Sequence, residues 1–363
     1  MSPKRRIALL FGGSSVEHEV SVVSARGVAG ALDPARFEVV PIGITGEGRW
    51  LTPEASRALL TSSASRVEDP GRDQRLLVDP ASGLVRTSME RIAIDAVFSV
   101  VHGWGGEDGR FQGVFDVAGL PLVGPGVLGS SVGMDKQVAK ALFQERGIPV
   151  GPWRALRRAS WESGRRAAEA DILEALGLPL FVKPANGGSS VGINKVRGAD
   201  ELSAALEVAF AHDAKAVIER GIDAREIECA VLGNDAPEVS VCGEIVPSRE
   251  FYDYASKYED GTSELHIPAR LPGDVADGIR ALALRAFEAL DLAGMARVDF
   301  FLDRGTGEVY LNEVNTLPGF TPISMYPKLW EASGLAYADL LARLIDLAVE
   351  RFQSERRRQV RRA

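Results

Sequence analysis

Cysteine is almost lacking in this chain of 363 residues, which contains only Cys229 and Cys242. Two cysteines do not make a disulfide framework in a chain of this length, so hydrophobic cores must stabilise the fold. Long apolar runs are lacking as well. The run at residues 7–11 is too short for a signal segment or a membrane span, and no later run is long enough. We therefore expect a cytoplasmic protein without a membrane partner.

An excess of positive charge is also lacking, because 50 acidic side chains face 42 basic ones and the net charge is −8 at pH 7. A nucleic-acid interface needs a basic patch, and basic residues cluster only in the tail at residues 356–362. We therefore expect no nucleic-acid partner. A hydrophobic content of 45% and a charged content of 25% are typical of a globular protein, and the length predicts two or three domains.

The sequence does contain strands that end in glycine-rich turns. Residues 7–11 predict a buried strand, and the turn Gly12-Gly13-Ser14-Ser15 leads into a helix. This pattern indicates an open α/β domain, in which ligands bind beyond the carboxyl ends of strands. Glu17 and Glu19 fall in the first helical turn. Such acids either compensate the helix dipole or bind a substrate ammonium. His102 also follows a strand, in a loop dense in glycine, and we expect it in a cleft.

A second glycine-rich turn follows a strand that ends near Lys183. Its residues Gly188, Ser189 and Ser190 can present backbone N–H groups to phosphate oxygens. The turn lacks the GxxxxGK[ST] order of a Walker A loop, and a plain tight hairpin is the alternative. Lys183, and Lys136 in a helix predicted over residues 130–146, would each place a positive charge on a phosphate.

Two strand-like runs flank a segment of turn formers at residues 303–307 and predict a β-hairpin. Arg297 and Asp299 share one face of the first strand, and Glu313 and Asn315 share one face of the second. If the two faces coincide, three oxygen ligands meet beside a guanidinium, and such oxygens suit Mg²⁺. A hairpin with a solvated polar face is the alternative.

Together, these segments resemble the D-alanine:D-alanine ligases of the ATP-grasp superfamily over nearly the whole chain. Seven motifs occur in the order of that family, which makes a chance match very improbable. They are Gly12-Gly13-Ser14-Ser15-Val16-Glu17-His18-Glu19-Val20-Ser21, His102-Gly103-Trp104-Gly105-Gly106-Glu107-Asp108-Gly109, Met134-Asp135-Lys136, Lys183-Pro184 with Gly188-Ser189-Ser190-Val191-Gly192, Phe251-Tyr252-Asp253-Tyr254 with Lys257-Tyr258, Arg297-Val298-Asp299, and Asn312-Glu313-Val314-Asn315-Thr316-Leu317-Pro318-Gly319.

The resemblance implies an α/β fold whose C-terminal part is α+β. An N-terminal open parallel α/β domain of the pre-ATP-grasp type would span residues 1–125. A central ATP-grasp subdomain with the phosphate loop would span residues 126–219. The C-terminal ATP-grasp subdomain, at residues 220–363, would carry the metal site and a lid over residues 248–272. The family also suggests a homodimer through the N-terminal domain.

The resemblance further implies a reaction. ATP would phosphorylate the carboxylate of one D-alanine, and the amine of a second D-alanine would attack the acyl phosphate. The dipeptide serves peptidoglycan precursor synthesis, and Mg²⁺ or Mn²⁺, as two ions, would be the cofactor.

The resemblance assigns the site residue by residue. The catalytic set is Glu19, Ser189, Tyr258, Arg297 and Gly319, with Ser189 and Tyr258 expected within hydrogen-bond reach of Glu19. The substrate set is Glu19 for the first ammonium, His102 for its carboxylate, and Lys257, Ser324 and Met325 for the carboxylate of the second substrate. The ATP set is Lys136, Lys183, Gly188, Ser189, Ser190, Glu219, Arg220, Ile222, Glu226, Asn312 and Glu313. The metal set is Asp299, Glu313 and Asn315. Many relatives have lysine at Arg220, which leaves a main-chain carbonyl contact possible there.

Three alternatives remain open at this point. Another ATP-grasp ligase would use a different nucleophile, such as D-lactate, although the intact lid tyrosine Tyr258 resembles the dipeptide-forming enzymes. A catalytically silent nucleotide-binding module would have lost Arg297, Asp299 or Glu313, and all three are present. A Rossmann-type oxidoreductase would need a GxGxxG turn, which residues 12–15 do not provide.

Overall fold

The computed structural model describes residues 3–71, 74–79, 83–86, 90–246 and 264–357. The core of the predicted lid, including Lys257 and Tyr258, lies outside these residues, as do residues 358–363. No helix in the described part of the chain is long and apolar enough to cross a membrane.

The N-terminal layer is the parallel α/β unit that the glycine turns predict. Its elements are β1 (Arg5–Gly12), α1 (His18–Ala31), β2 (Phe37–Ile44), α2 (Pro53–Thr61), β3 (Leu76–Asp79), β4 (Gly83–Arg86), β5 (Ala96–Ser99) and α3 (Arg110–Val117). Strands β2, β1 and β5 form a parallel sheet in that order, and β3 pairs with β4. Leu122 joins this sheet through a single parallel bridge to Val97. The carboxyl ends of β1 and β5 therefore lie side by side, as a ligand cleft requires.

The helix predicted over residues 130–146 is in fact two helices, α4 (Val127–Met134) and α5 (Lys136–Glu145). Asp135 leaves the helical conformation with φ −86° and ψ 99°. Its side chain then caps α5 by accepting a hydrogen bond from the backbone of Val138 at 3.1 Å. The break lets the backbone N–H of Lys136 donate to the carbonyl of Ala185 at 2.9 Å. Lys136 thereby begins α5 beside the second glycine-rich turn.

A small antiparallel sheet follows. Its elements are β6 (Trp153–Arg157), α6 (Arg158–Ser163), α7 (Arg165–Leu176), β7 (Leu180–Pro184), β8 (Asn194–Val196), α8 (Leu202–His212) and β9 (Lys215–Arg220). The strand order is β6, β9, β7, β8, and the glycine-rich turn connects β7 to β8. A separate core around Trp161, Leu180 and Leu206 supports this sheet.

The C-terminal layer contains a larger antiparallel sheet. Its elements are β10 (Ala224–Gly233), β11 (Glu238–Val239), β12 (Gly243–Val246), β13 (Glu264–His266), α9 (Gly273–Ala289), β14 (Gly294–Asp303), β15 (Val309–Asn315), α10 (Met325–Ala332) and α11 (Tyr337–Arg356). The order is β13, β12, β10, β14, β15, and β11 also pairs with β10. The hairpin predicted on either side of residue 305 is therefore the β14–β15 pair.

Two cores join the layers. One contains side chains of β1 and β5 together with α11, and the rings of Phe98 and Phe320 meet edge to face at 5.4 Å within it. Another packs Ala139 and Phe143 of α5 against the large sheet. The domain division at residues 126 and 220 stays a prediction, and this packing groups α5 with the C-terminal layer.

We expect Leu344→Ala to lower the free energy of unfolding by about 2–5 kcal/mol, because it leaves a cavity in the core that joins α11 to the first sheet. Chemical denaturation measures the effect. The matched variant Leu128→Ala, at an exposed helical position, should change that free energy by only about 0.5 kcal/mol. Equal effects of the two variants would contradict the assignment of this core.

Candidate active site

A cleft of about 330 Å³ lies where the three layers meet. Its lining contains His102, Lys136, Gly188, Ser189, Arg297, Glu313, Asn315, Gly319, Ser324 and Met325, all of which the sequence analysis predicted, together with Glu17, Glu107, Glu228, Thr321 and Lys328, among others, which it did not assign. Residues from the N-terminal turns, the phosphate loop and the acidic hairpin thus surround one space.

The acidic hairpin has the register that the sequence required. Arg297 lies opposite Asn315 and Asp299 lies opposite Glu313, so the polar faces of β14 and β15 coincide. Two nitrogens of the Arg297 guanidinium donate to the Asp299 carboxylate, Nε at 2.8 Å and Nη2 at 2.7 Å. Glu228, on β10, lies 3.0 Å from Nε of Arg297. The hairpin therefore presents a fixed guanidinium and several oxygen ligands to the cleft.

The neighbouring carboxylates keep the guanidinium of Arg297 protonated. Burial by itself would lower the pKa of Arg297, but the charges of Asp299 and Glu228 outweigh burial and raise the pKa well above its usual range. A cation fixed in this way can stabilise negative charge that develops on a reacting oxygen.

Both predicted phosphate lysines lie near the hairpin, and Lys136 lines the cleft. Lys136 Nζ donates to the carbonyl of Gly187 at 2.7 Å and lies 3.8 Å from a carboxylate oxygen of Glu313. Lys183 Nζ donates to Glu219 at 2.9 Å and lies 3.5 Å from the amide oxygen of Asn312. The two lysines therefore lie within ion-pair or hydrogen-bond distance of polar side chains of the hairpin.

The assignment of Glu19 is wrong in this structure, because Glu17 lies in its predicted place. The Ser189 hydroxyl donates to the Glu17 carboxylate, and Glu17 lines the cleft. Glu19 is half exposed and pairs with Arg66 at 3.0 Å. The helix α1 begins at His18, and successive residues turn by about 100°, so Glu19 points roughly 200° away from the direction of Glu17. The position of the helix start decides between the two acids.

His102 is buried at the end of the loop after β5, as predicted, and its Nδ1 lies 3.2 Å from the Glu107 carboxylate. Burial by itself would lower the pKa of His102. The hydrogen bond to Glu107 and the charge of Glu17 outweigh it and raise this pKa above its usual value. The raised pKa favours the protonated form of His102 beside the cleft, and a cation there suits a carboxylate ligand.

The segment after β15 forms the opposite end of the cleft. The Ser324 hydroxyl oxygen accepts from the backbone N–H of Thr321 at 3.0 Å and lies 2.8 Å from the Thr321 hydroxyl. A Cβ at Gly319 would lie 2.7 Å from the Ser324 oxygen, so only glycine fits there. Met325 is the first residue of α10, and its backbone N–H has no acceptor within the helix.

Glu219, Arg220, Ile222 and Glu226 of the predicted ATP set lie outside the main cleft lining. Arg220 Nε donates to the carbonyl of Leu176 at 2.7 Å, which occupies one of its side-chain donors, and its contact with the nucleotide stays a prediction. Ile222 packs near Gly151, where an added Cβ would lie 3.1 Å from its Cδ1. Glu226 lies on β10 opposite Ile245, and the roles of Glu226, Ile222 and Ser190 stay predictions.

The donor set of the hairpin fits a hard divalent cation. Within the described residues, no three His, Cys, Asp or Glu side chains form a metal cluster. The predicted set differs from such a cluster because its third ligand is the amide of Asn315. A carboxylate offers about four lone-pair sites, so Asp299 can accept from Arg297 and still bind a cation. Two carboxylates and an amide, with remaining positions left to water and phosphate, suit Mg²⁺.

Comparisons with known proteins agree with this geometry. Residues 6–125 match the family model described as D-ala D-ala ligase N-terminus, and residues 142–346 match the model described as D-ala D-ala ligase C-terminus. A D-alanine–D-alanine ligase of Deinococcus radiodurans is 50% identical over 350 residues, which cover 96% of this chain and 99% of that protein. One of Geobacillus thermodenitrificans is 48% identical over 360 residues, 97% of each chain.

Solved structures agree as well. The D-alanine–D-alanine ligase of Coxiella burnetii superposes with a TM-score of 0.83 at 36% identity and covers 98% of both chains. The VanG D-Ala:D-Ser ligase of Enterococcus faecalis gives a TM-score of 0.83 at 37% identity, with 95% of this chain and all of that chain covered.

The fold and the cleft thus define an ATP-grasp enzyme, a carbon–nitrogen ligase that takes ATP as a substrate. Within that class, the chain belongs to the D-alanine–D-alanine ligase family.

Glu107, Glu228 and Lys140 belong to the site or its support and were not predicted from the sequence, whereas Glu17 was a candidate for which Glu19 was chosen. Glu107 stands within a motif that was recognised, so its position was available. Glu228 alternates with the buried Ile227 and Cys229 on β10, which marks it as a polar residue of an otherwise buried strand. Lys140 lies one helical turn after Lys136, between Ala139 and Phe143, where a lysine is unexpected.

We expect the stability that His102 contributes to fall as the pH rises. A pKa raised in the folded protein contributes stability that is present below the unfolded pKa of about 6.5 and is lost as the pH passes the folded pKa. Urea denaturation of the wild type and His102→Gln should therefore differ more at about pH 5.5 than at about pH 9.

The companion variant Glu107→Gln should weaken that pH trend, because it removes the hydrogen-bonded carboxylate that faces the imidazole. Glu17 also faces His102 and should leave part of the trend in place. A difference between wild type and His102→Gln that grows with pH would contradict the raised pKa.

Proposed function

We propose that the cleft joins two D-alanines into D-alanyl-D-alanine for peptidoglycan precursors. A carboxylate oxygen of the first D-alanine attacks the γ-phosphorus of ATP, and ADP leaves. The amine of the second D-alanine then attacks the carbonyl carbon of the acyl phosphate, a C–N bond forms, and inorganic phosphate leaves with the loss of an amine proton. The supporting observation is that Lys136, the fixed guanidinium of Arg297 and Glu313 of the acidic hairpin face one space.

The first D-alanine would lie between the N-terminal turns and the phosphate loop. Glu17 would accept a hydrogen bond from its ammonium, and the cationic His102 would lie near its carboxylate. The hydrogen bond from Ser189 holds the Glu17 carboxylate to the phosphate loop. One contact thereby couples the amino-acid site to the ATP site, and it fixes the attacking oxygen close to the γ-phosphate, as efficient transfer requires.

The phosphates of ATP would bind against Lys136, Lys183 and the N–H groups of the loop at Gly188 and Ser189. Asp299, Glu313 and Asn315 would hold Mg²⁺ or Mn²⁺, and two ions are proposed. Bound metal supplies charge neutralisation and orientation of the phosphate oxygens. The lysines supply the same kind of charge from the opposite wall, where Lys136 already lies 3.8 Å from Glu313.

Attack of the second amine creates a tetrahedral intermediate with a negative oxygen. Arg297 and the backbone N–H of Gly319 are proposed to face that oxygen, and donors placed in this way typically contribute about 10²–10³ in rate. The carboxylates of Asp299 and Glu228 fix the guanidinium before the reaction begins. Little reorganisation is then needed as charge develops.

The carboxylate of the second D-alanine would bind at Ser324 and the backbone N–H of Met325, both in the cleft lining. Lys257 and Tyr258, which lie outside the described residues, remain predicted contributors to this site and to a lid. Because one similar structure is a D-Ala:D-Ser ligase, D-serine is the competing second substrate to be tested. We also propose a cytoplasmic homodimer that associates through the N-terminal domain.

The decisive test compares ADP release and product identity with D-alanine, L-alanine, and D-alanine mixed with D-serine or D-lactate. We expect ADP release in step with D-alanyl-D-alanine when D-alanine alone is supplied, and almost none with L-alanine. A mixed product as the main species would favour the competing nucleophile. ADP release that does not depend on any amino acid would contradict the proposal.

The matching variant is Glu313→Ala, which removes one proposed metal ligand from a half-exposed position in the cleft. We expect kcat to fall at least about 100-fold, because neutralisation of the transferring phosphoryl group is lost. Circular dichroism and the denaturation midpoint should stay close to those of the wild type. Unchanged ADP release would remove Glu313 from the mechanism.

A pair of variants tests the choice between the two N-terminal acids. Glu17→Gln should raise KM for the first D-alanine by about 10- to 100-fold, the loss expected when a hydrogen bond to a charged group is removed. Glu19→Gln removes only an exposed ion pair with Arg66, and KM should change less than about twofold. The reverse order of effects would restore Glu19 as the substrate acid.

A further inference from the structure

A buried lysine lies behind the phosphate-binding wall of the cleft. Nζ of Lys140 is 3.2 Å from one carboxylate oxygen of Glu219 and 3.3 Å from the backbone carbonyl oxygen of Asn312. The other carboxylate oxygen of Glu219 accepts a hydrogen bond from Lys183 at 2.9 Å. One carboxylate is thus held between two ammonium groups. Lys140 does not line the cleft, so it can influence the nucleotide only through its neighbours.

The charges of this group do not cancel. Lys140, Glu219 and Lys183 are all at least nine-tenths buried, so water screens them poorly. Burial would raise the pKa of Glu219, but the two lysines outweigh it and lower the pKa to about 2. Burial lowers the pKa of Lys140, and the charge of Glu219 opposes this effect. Within this group of three charges, one carboxylate balances one ammonium and one positive charge is in excess, and the carboxylates of Glu313 and Glu226 act on Lys183 from outside the group.

The position of Lys183 shows where that excess is useful. Its ammonium also lies 3.5 Å from the amide oxygen of Asn312, the residue directly before Glu313 in the acidic hairpin. If Lys183 alone had to balance Glu219, its charge would be neutralised by the protein. Because Lys140 shares the carboxylate, part of the charge of Lys183 remains for an anionic ligand.

The second contact of Lys140, with the backbone of Asn312, links a helix to a strand. Lys136 and Lys140 stand one turn apart on α5, and the ammonium of Lys140 binds the main chain of Asn312 on β15. The helix that begins with Lys136 is thereby tied to the strand that carries Glu313. Loss of the contact would let the positive wall and the acidic hairpin move relative to each other.

We propose that Lys140 is a positioning residue for ATP, which shares Glu219 with Lys183 so that the ammonium of Lys183 stays available to the nucleotide phosphates. This inference rests on the proposed function and deepens it, because it assigns nucleotide affinity to a residue that touches neither ATP nor D-alanine. A buried ion pair that served stability alone would not distinguish between the two substrates.

The primary test measures KM for ATP, KM for D-alanine and kcat in Lys140→Met and Lys140→Arg. Lys140→Met keeps much of the side-chain length and removes the charge, and KM for ATP should rise about tenfold. KM for D-alanine should change less than about twofold, because that substrate binds at other residues. Lys140→Arg retains the charge and should recover most of the ATP affinity. Arg285→Met, which removes an exposed positive charge on α9, should leave both KM values unchanged.

A double variant separates charge balance from structural support. Lys140→Met leaves Lys183 to balance Glu219 alone, whereas Lys140→Met combined with Glu219→Gln restores the original excess of one positive charge. KM for ATP should therefore be lower in the double variant than in Lys140→Met. A double variant that binds ATP more weakly than both Lys140→Met and Glu219→Gln would overturn the proposal. So would equal increases in both KM values, or an unchanged KM for ATP in Lys140→Met.

Separate control experiments distinguish a folding defect from a loss of nucleotide affinity. If Lys140→Met does not fold, Lys140→Gln replaces it, and calorimetric titration with ADP reports nucleotide affinity without turnover. Affinity for ADP equal to that of the wild type would overturn the inference. A wild-type enzyme that binds ADP but forms no product from D-alanine would contradict the proposed function instead, and the ADP titrations of the Lys140 variants would still decide the inference.

Discussion

Compensation of buried charge is the constraint on which the cleft depends. Arg297 is held between Asp299 and Glu228, and Glu219 is held between two lysines, all of them largely removed from water. A buried charge without its partner costs several kcal/mol, so each group tolerates burial only when its partners are in place. Arg297 and its partners lie on neighbouring strands of one sheet, whereas Lys140 on α5 reaches Glu219 on β9, so the second group is complete only when α5 packs against the small sheet.

This constraint also explains how a single cleft can accept ATP beside amino-acid carboxylates. Negatively charged reactants repel one another in water, and the chain separates the groups that receive them. Lys136 of α5 and the acidic hairpin line the cleft, and Glu17 faces the end where an ammonium is expected. The hydrogen bond between Ser189 and Glu17 joins the phosphate loop to the N-terminal layer. In the proposed function, that contact would couple binding of the nucleotide to binding of the first amino acid.

Much of the architecture could be read from the sequence because it depends on local pattern. Strands that end in glycine turns identified the parallel N-terminal layer, and alternation along two short strands paired Arg297 with Asp299 and Glu313 with Asn315. The register shows that the two polar faces coincide. Local pattern gave wrong predictions where a single residue determines where a helix begins or breaks. The helix break at Asp135 needed knowledge of its cap on Val138, and the choice of Glu17 over Glu19 depended on where α1 begins.

The sequence by itself determined which chemical groups this protein carries and on which face of each strand or turn they stand, since those properties follow from neighbouring residues. Only the tertiary structure decided which groups are partners. Lys140, Glu219 and Asn312 stand far apart along the chain and meet because α5, β9 and β15 pack together. Electrostatic interactions of this kind depend on distance and burial, and both are products of packing rather than of local sequence.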